Sequence, residues 1–170
     1  MAYDIDAIVA KVAETVKEQN AQEIPKAPKI PFEGKMTLTL ARALIEGVRR
    51  EAERIGVRSV VAVSDGGGNP VSVDCSDGAY YASYDIAVNK AYTSVALQMP
   101  TSRLASLAAP GGSLYGIQHT NGGRIVIFGG GDPLKYNGAV IGGIGVSGGS
   151  AEEDTALSAY GAELFYELTR

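Results

Sequence analysis

Few residues in this chain have side chains that can do chemistry, and they are unevenly placed. The single histidine, His119, opens the stretch HTNGGRIVIFGGGD over residues 119–132. A neutral imidazole is a common ligand for transition metals and serves as an axial ligand to haem iron. One histidine gives one such ligand, so a structural zinc site, which takes four, is not indicated. An ordinary hydrogen-bonding loop residue is the alternative reading. The surrounding backbone is nearly bare. Most of the 22 glycines fall between Gly111 and Gly149, in PGGSLYG, NGG, FGGGD, IGGIG and SGGS. Glycine is required where φ is positive or where a neighbour must touch the main chain.

The SGGS stretch, Ser147, Gly148, Gly149 and Ser150, stands directly before a helix start. Free N–H groups and the positive end of a helix dipole suit a carboxylate or phosphate there. Turn geometry and subunit packing explain the same glycines. The P-loop pattern G-x-x-x-x-G-K-[ST] is missing, so this is not a nucleotide cradle of that kind. Glu152, Glu153 and Asp154 read as a capping box and dipole complement before they read as acid–base groups. Cys75, the only cysteine, forms no internal disulfide and is expected as a small buried residue at a strand end. Lys90 lies mid-helix with Asp85 five residues back and is expected at the surface. No G-x-S-x-G elbow is present, and His119 is the only partner for a serine nucleophile.

The elements that must position these groups follow from periodicity. Residues 1–20 carry Ile5, Ile8, Val9, Val12 and Val16 on one helical stripe, with Asp4 at the cap. Pro25, Pro28 and Pro31 then recur every three residues, so residues 21–35 read as a stiff polyproline spacer that holds the helix away from the body. Residues 37–56 form a second helix with Leu40, Leu44, Ile45, Val48, Ala52 and Ile55 on one face and Gly56 as its stop. RSVVAVSD and PVSVDC flank GGGN as a hairpin. Helix returns over residues 79–97, with Tyr84, Ala87, Val88, Ala91 and Val95 on one side, and TSRLASLA adds a short helix before Pro110. RIVIF, residues 124–128, reads as a strand. Asn137-Gly138 signals a tight hairpin turn into a glycine-rich strand over residues 139–146. Glycines inside that strand mark either a bulge or another backbone approaching closely. Ser150 and Glu153 cap a last helix with Leu157, Leu164, Phe165 and Leu168 as its stripe. Helices segregated around a largely antiparallel sheet make the chain α+β.

Composition excludes several classes. With a net charge of −4 and a pI near 5.0, the chain lacks the basic surface of a nucleic-acid binder. No stretch is long and apolar enough for a signal peptide or a membrane span, so a cytoplasmic protein is expected.

Six stretches carry a family likeness: TLTLARALIEG, VAVSDGGGNPVSV, DGAYYASYDIAVNKAYTSVAL, PTSRLASLAAPGGSLYGI, NGGRIVIFGGGDPL and GAVIGGIGVSGGSAEEDTALSAYG. In this order, over Met36 to about Leu168, they resemble the GlcG/HbpS family, which includes the C-terminal domain of the PduO proteins. The resemblance implies residues 36–170 as one domain, a profilin-like fold with a five-stranded antiparallel sheet flanked by helices, and homo-oligomers. It implies haem or a corrinoid-related small ligand, with haem degradation or redox sensing in some members, and it does not imply cobalamin adenosylation. Many members carry histidine in the turn after the first strand, where this chain has Gly66, Gly67 and Gly68, and arginine near the position of Cys75. Residues 1–20 with their proline-rich linker resemble the encapsulation peptides of bacterial microcompartment cargo. That likeness implies shell or cargo partners and a place in the microcompartment lumen.

Three functions remain open at this point. The first is a ligand-binding accessory module holding haem or a similar group against the glycine-rich loops. Its contacts would be Tyr115, His119, Asn121, Gly122, Gly123 and Arg124, with His119 as the axial ligand. The second is an enzyme acting on a small organic acid or aldehyde-pathway intermediate, with Ser147, Gly148, Gly149 and Ser150 as anion site. The third is a structural microcompartment protein without ligand chemistry.

Overall fold

The computed structural model describes residue 30 and residues 32–170. The expected helix over residues 1–20 and most of the linker lie outside the described residues. Where the linker's end is described, it is not held away from the body. The Ile30 N–H donates to the Leu168 carbonyl at 3.0 Å. The Phe32 ring packs edge-on against Tyr136 and Phe165, with centroids 4.7 and 5.6 Å apart.

Helix α1 (Leu38–Arg54) starts at Thr37, whose side chain accepts from the Leu40 N–H, and ends before Gly56, which has φ +78°. The apolar stripe read from the sequence is the buried face: Leu40, Leu44, Ile45, Val48 and Ala52. Strands β1 (Val60–Asp65) and β2 (Pro70–Cys75) form the expected hairpin. Helix α2 (Ala82–Ala96) and the short α3 (Thr101–Ala108) follow. Strands β3 (Gly131–Tyr136) and β4 (Ala139–Ser147) turn about Asn137 (φ +48°) and Gly138 (φ +82°), the two left-handed positions that the dipeptide supplies. Helix α4 (Ala151–Thr169) closes the chain.

The four strands form one antiparallel sheet in the order β2-β1-β4-β3. Alternation along the strands divides the core in two. Val61, Val63, Ile144 and Val146 pack with α1 and α4, whose Leu44, Val48, Leu157 and Phe165 are buried with them. Val60 and Ala62 face the other way, against Ala87 and Ala91 of α2. Gly145 lies opposite Ala62 in the ladder and so shares that second face. A methyl group on Gly145 would run into the backbone carbonyl of Ala87. The glycines of β4 therefore let the α2 backbone lie directly on the sheet.

The sheet has four strands among the described residues, not five. RIVIF is not a strand: its Val126 N–H donates to Thr93 Oγ1 at 3.0 Å, while the Thr93 hydroxyl donates to the Asn89 carbonyl at 2.7 Å and lies 3.2 Å from the Arg124 carbonyl. A helix side chain thus takes the Val126 N–H that a ladder would have used. The strand begins at the last of the three glycines, Gly131. Its Pro133 is tolerated because β3 is an edge strand.

Candidate functional site

Downstream of α3 the chain makes two short 3-10 turns, Ile117–His119 and Asn121–Gly123. His119 ends the first and is exposed, and Tyr115 is 67% exposed in the same loop. Asn121 and Arg124 are brought together on one side chain of α2, Tyr92. Asn121 Nδ2 donates to the Tyr92 hydroxyl at 3.2 Å, and the Arg124 guanidinium lies over the Tyr92 ring at 3.6 Å. Arg124 Nε also donates to Asn89 Oδ1 at 3.4 Å. Gly122 and Gly123 have φ of +66° and +80°, and a Cβ on either would meet nothing within 4 Å. Turn geometry requires glycine at these positions, and the turn's outer face is open. The loop presents an imidazole, a phenol ring and bare backbone to solvent, a donor set compatible with the edge and iron of a tetrapyrrole.

The SGGS stretch is organised differently. Ser150 accepts from the Glu153 N–H at 3.2 Å while its own N–H donates to Glu153 Oε2 at 2.8 Å, completing the expected capping box. The Gly149 N–H donates to Asp154 Oδ1 at 3.0 Å. Two of the amides that the sequence offers to an anion are thus taken by carboxylates of the same helix. Ser147, at the end of β4, is buried, and its hydroxyl donates to Ser83 Oγ of α2 at 3.2 Å.

The structure places Lys90 in the core, against the expectation of a surface residue. Its side chain is 0% exposed, and Nζ donates to Asp154 Oδ2 and to the Val146 carbonyl, both at 2.7 Å. The Phe128 ring lies 4.9 Å from Nζ. Burial pushes the Lys90 amine below its ordinary pKa, against the opposing pull of Asp154. Gly130, with φ +111°, leaves the room this pair occupies: a Cβ there would be 2.6 Å from Lys90 Nζ and 2.7 Å from the Val146 carbonyl oxygen. Asp154, read from the sequence as part of the capping box, is the buried counter-ion. Lys90 lies on the helical face of Ala87, Ala91 and Ser94, small residues suited to close packing, and that was the available signal.

A second carboxyl, partly buried, was missed altogether. Asp132 of β3 accepts from Ser158 Oγ at 2.6 Å, and desolvation raises its pKa. Cys75 is exposed, not buried. It ends β2, an edge strand, and borders a shallow cleft with Arg49 and Arg58. Among the described residues no three His, Cys, Asp or Glu side chains come together as a metal site. None of the helices there is long and apolar enough to cross a membrane.

A four-stranded antiparallel sheet covered by helices on both faces, with its one imidazole on an exposed glycine-rich loop, defines a small α+β module. The chain belongs to the family described as haem degrading protein HbpS-like, whose model matches residues 36–163. It is 44% identical over 133 residues to an uncharacterised 15.0 kDa protein in the dhaT-dhaS intergenic region of Citrobacter freundii, covering 78% of this chain and 94% of that protein. It is 33% identical over 161 residues to the corrinoid adenosyltransferase PduO of the same organism. That match takes in 92% of this chain but only 47% of PduO, so the chain spans about half the length of that relative. Among solved structures it is similar to a PduOC:haem complex, with a TM-score of 0.73 and 31% identity over 76% of this chain and 94% of that one.

Proposed function

We propose that this chain is a small-ligand-binding accessory protein of a bacterial metabolic pathway, and that its ligand is haem or a corrinoid-related tetrapyrrole. The observation that carries the reading is the similarity, over nearly the whole of that chain, to a protein whose structure is a complex with haem. His119 is the axial ligand in this reading, with Tyr115, Asn121, Gly122, Gly123 and Arg124 around the group. Haem when bound supplies a redox-active iron. The chain's part is to hold it and to limit solvent on one side.

Tyr81, at the N-cap of α2, and Tyr84 in its first turn are 102% and 53% exposed and favour a homo-oligomer that covers them. Size-exclusion chromatography with light scattering checks this, and a monomer at micromolar concentration refutes it. The PduO relationship and the amphipathic pattern of residues 1–20 favour recruitment to a microcompartment. A fluorescent reporter fused to residues 1–20 is expected to collect in shells; diffuse fluorescence ends that part of the reading. For the ligand, titration of the purified protein with haemin is expected to give a saturable Soret shift with defined stoichiometry. A spectrum that stays that of free haemin refutes it.

A further inference from the structure

A cavity lies between the start of α2, Phe128 and the β4–α4 turn. It has a volume of about 280 Å³. Sites for drug-sized ligands span roughly 300–1,000 Å³, so its occupant is smaller than a tetrapyrrole. Tyr80, Ile86 and Phe128 supply apolar walls, and Ser83, Ser147 and Asp154 supply the polar ones. Tyr80 and Phe128 are 75% and 42% exposed, so the mouth reaches solvent. The three polar side chains are each at least nine-tenths buried: Ser83 3%, Ser147 5% and Asp154 3% exposed.

The polar inventory defines the occupant. Ser147 donates its proton to Ser83 Oγ, which leaves the Ser83 proton to give and the Ser147 oxygen to accept. Asp154 is held by Lys90 and the Gly149 N–H and has lone pairs left for one more donor. Its charge is balanced by the buried ammonium behind it. An anion entering here has no proton for Asp154 and meets the acidic first turn of α4, Glu152, Glu153 and Asp154. A cation finds a carboxylate already neutralised. A group that both donates and accepts fits on every count.

We propose that this cavity binds a small uncharged molecule with a hydroxyl or primary amide on a short apolar body, at a site separate from the haem loop. The test is an ¹⁵N NMR titration of the full chain with isobutyramide, its near-isosteric anion isobutyrate, and isobutylammonium. Isobutyramide is expected to give saturable shifts centred on Ser83, Gly148 and Gly149. Ser147→Ala is expected to weaken it about five-fold, the loss of one neutral hydrogen bond. Ala151→Leu, at the exposed rim, tests the same site without touching a buried group and is expected to abolish the shifts. Three results would each overturn the proposal: no saturable shift with isobutyramide, binding of either ion as tight as the amide, or undiminished amide binding in Ala151→Leu. Loss of amide binding in His119→Ala would overturn the separation of the two sites.

Discussion

Replacing Lys90 with methionine tests the reading of the core most sharply. The substitution keeps an unbranched apolar side chain of similar length and deletes the ammonium. Two hydrogen bonds of 2.7 Å disappear with it, one to Asp154 Oδ2 and one to the Val146 carbonyl. Asp154 is then a buried carboxylate left with the Gly149 N–H, and the Val146 carbonyl loses its side-chain donor. Breaking a buried pair by removing one partner costs about 3–5 kcal/mol. Domains are stable by only about 5–15 kcal/mol, so the loss is a large share of the total. At about 2–4 °C per kcal/mol for a chain of this size, Tm falls by roughly 10 °C. Urea denaturation followed by circular dichroism gives the free energy directly. The companion is the double variant Lys90→Met/Asp154→Leu, which leaves no unpaired buried charge. Apolar replacement of a whole buried pair is often close to neutral. The double variant is therefore expected to be more stable than Lys90→Met alone. A Lys90→Met cost below about 1 kcal/mol, or a double variant that simply adds two large losses, would refute the buried pair.

Two further substitutions probe the elements around it. Gly145→Ala drives a methyl group into the Ala87 carbonyl and the Ala91 N–H of α2, and overpacking of this kind costs about 3 kcal/mol. Gly122→Ala meets no neighbour within 4 Å and carries only the penalty of φ +66°, about 1–2 kcal/mol. Equal costs in urea melts would contradict the placement of α2 on β4. The Asp132 carboxyl has its pKa raised by desolvation. Its contribution to stability is therefore full below the unfolded-state value and is lost as pH rises through the folded-state value. Asp132→Asn removes that loss, so the variant gains on the natural chain as pH rises above the unfolded-state value of about 4. Urea midpoints measured across that range check the sign, and a parallel pH dependence in the two proteins would contradict it.

Much of the architecture was legible because it rests on local rules. Thr37, Gly56, Asn137-Gly138 and the Ser150/Glu153 capping box each mark an element end by a mechanism that acts within a few residues. The Leu40–Val48 and Leu157–Leu168 stripes did the same for the buried faces of α1 and α4. What failed depended on distant partners. RIVIF has the composition of a strand, yet its Val126 N–H goes to Thr93 of α2 and it takes no place in the sheet. Lys90 reads as a surface residue until Asp154, 64 positions later, is brought against it. Cys75 reads as buried until β2 is known to be an edge. The glycines were read as ligand-facing or packing-facing together, and the structure divides them. Gly130 and Gly145 accommodate the chain's own Lys90 and α2 backbone, while Gly122 and Gly123 face open space. That division leaves the 115–124 loop as the exposed candidate and the open-mouthed cavity at the β4–α4 turn as the other.

The central claim is that the exposed imidazole of His119 binds the iron of haem. Haemin titrations of the natural chain and of His119→Ala, run side by side and followed at the Soret band, address it directly. The account predicts saturable binding in the natural chain, and a displaced band or a lost affinity in the variant. Identical saturable spectra from the two proteins would remove His119 from the iron, and no binding by either would contradict the haem assignment itself.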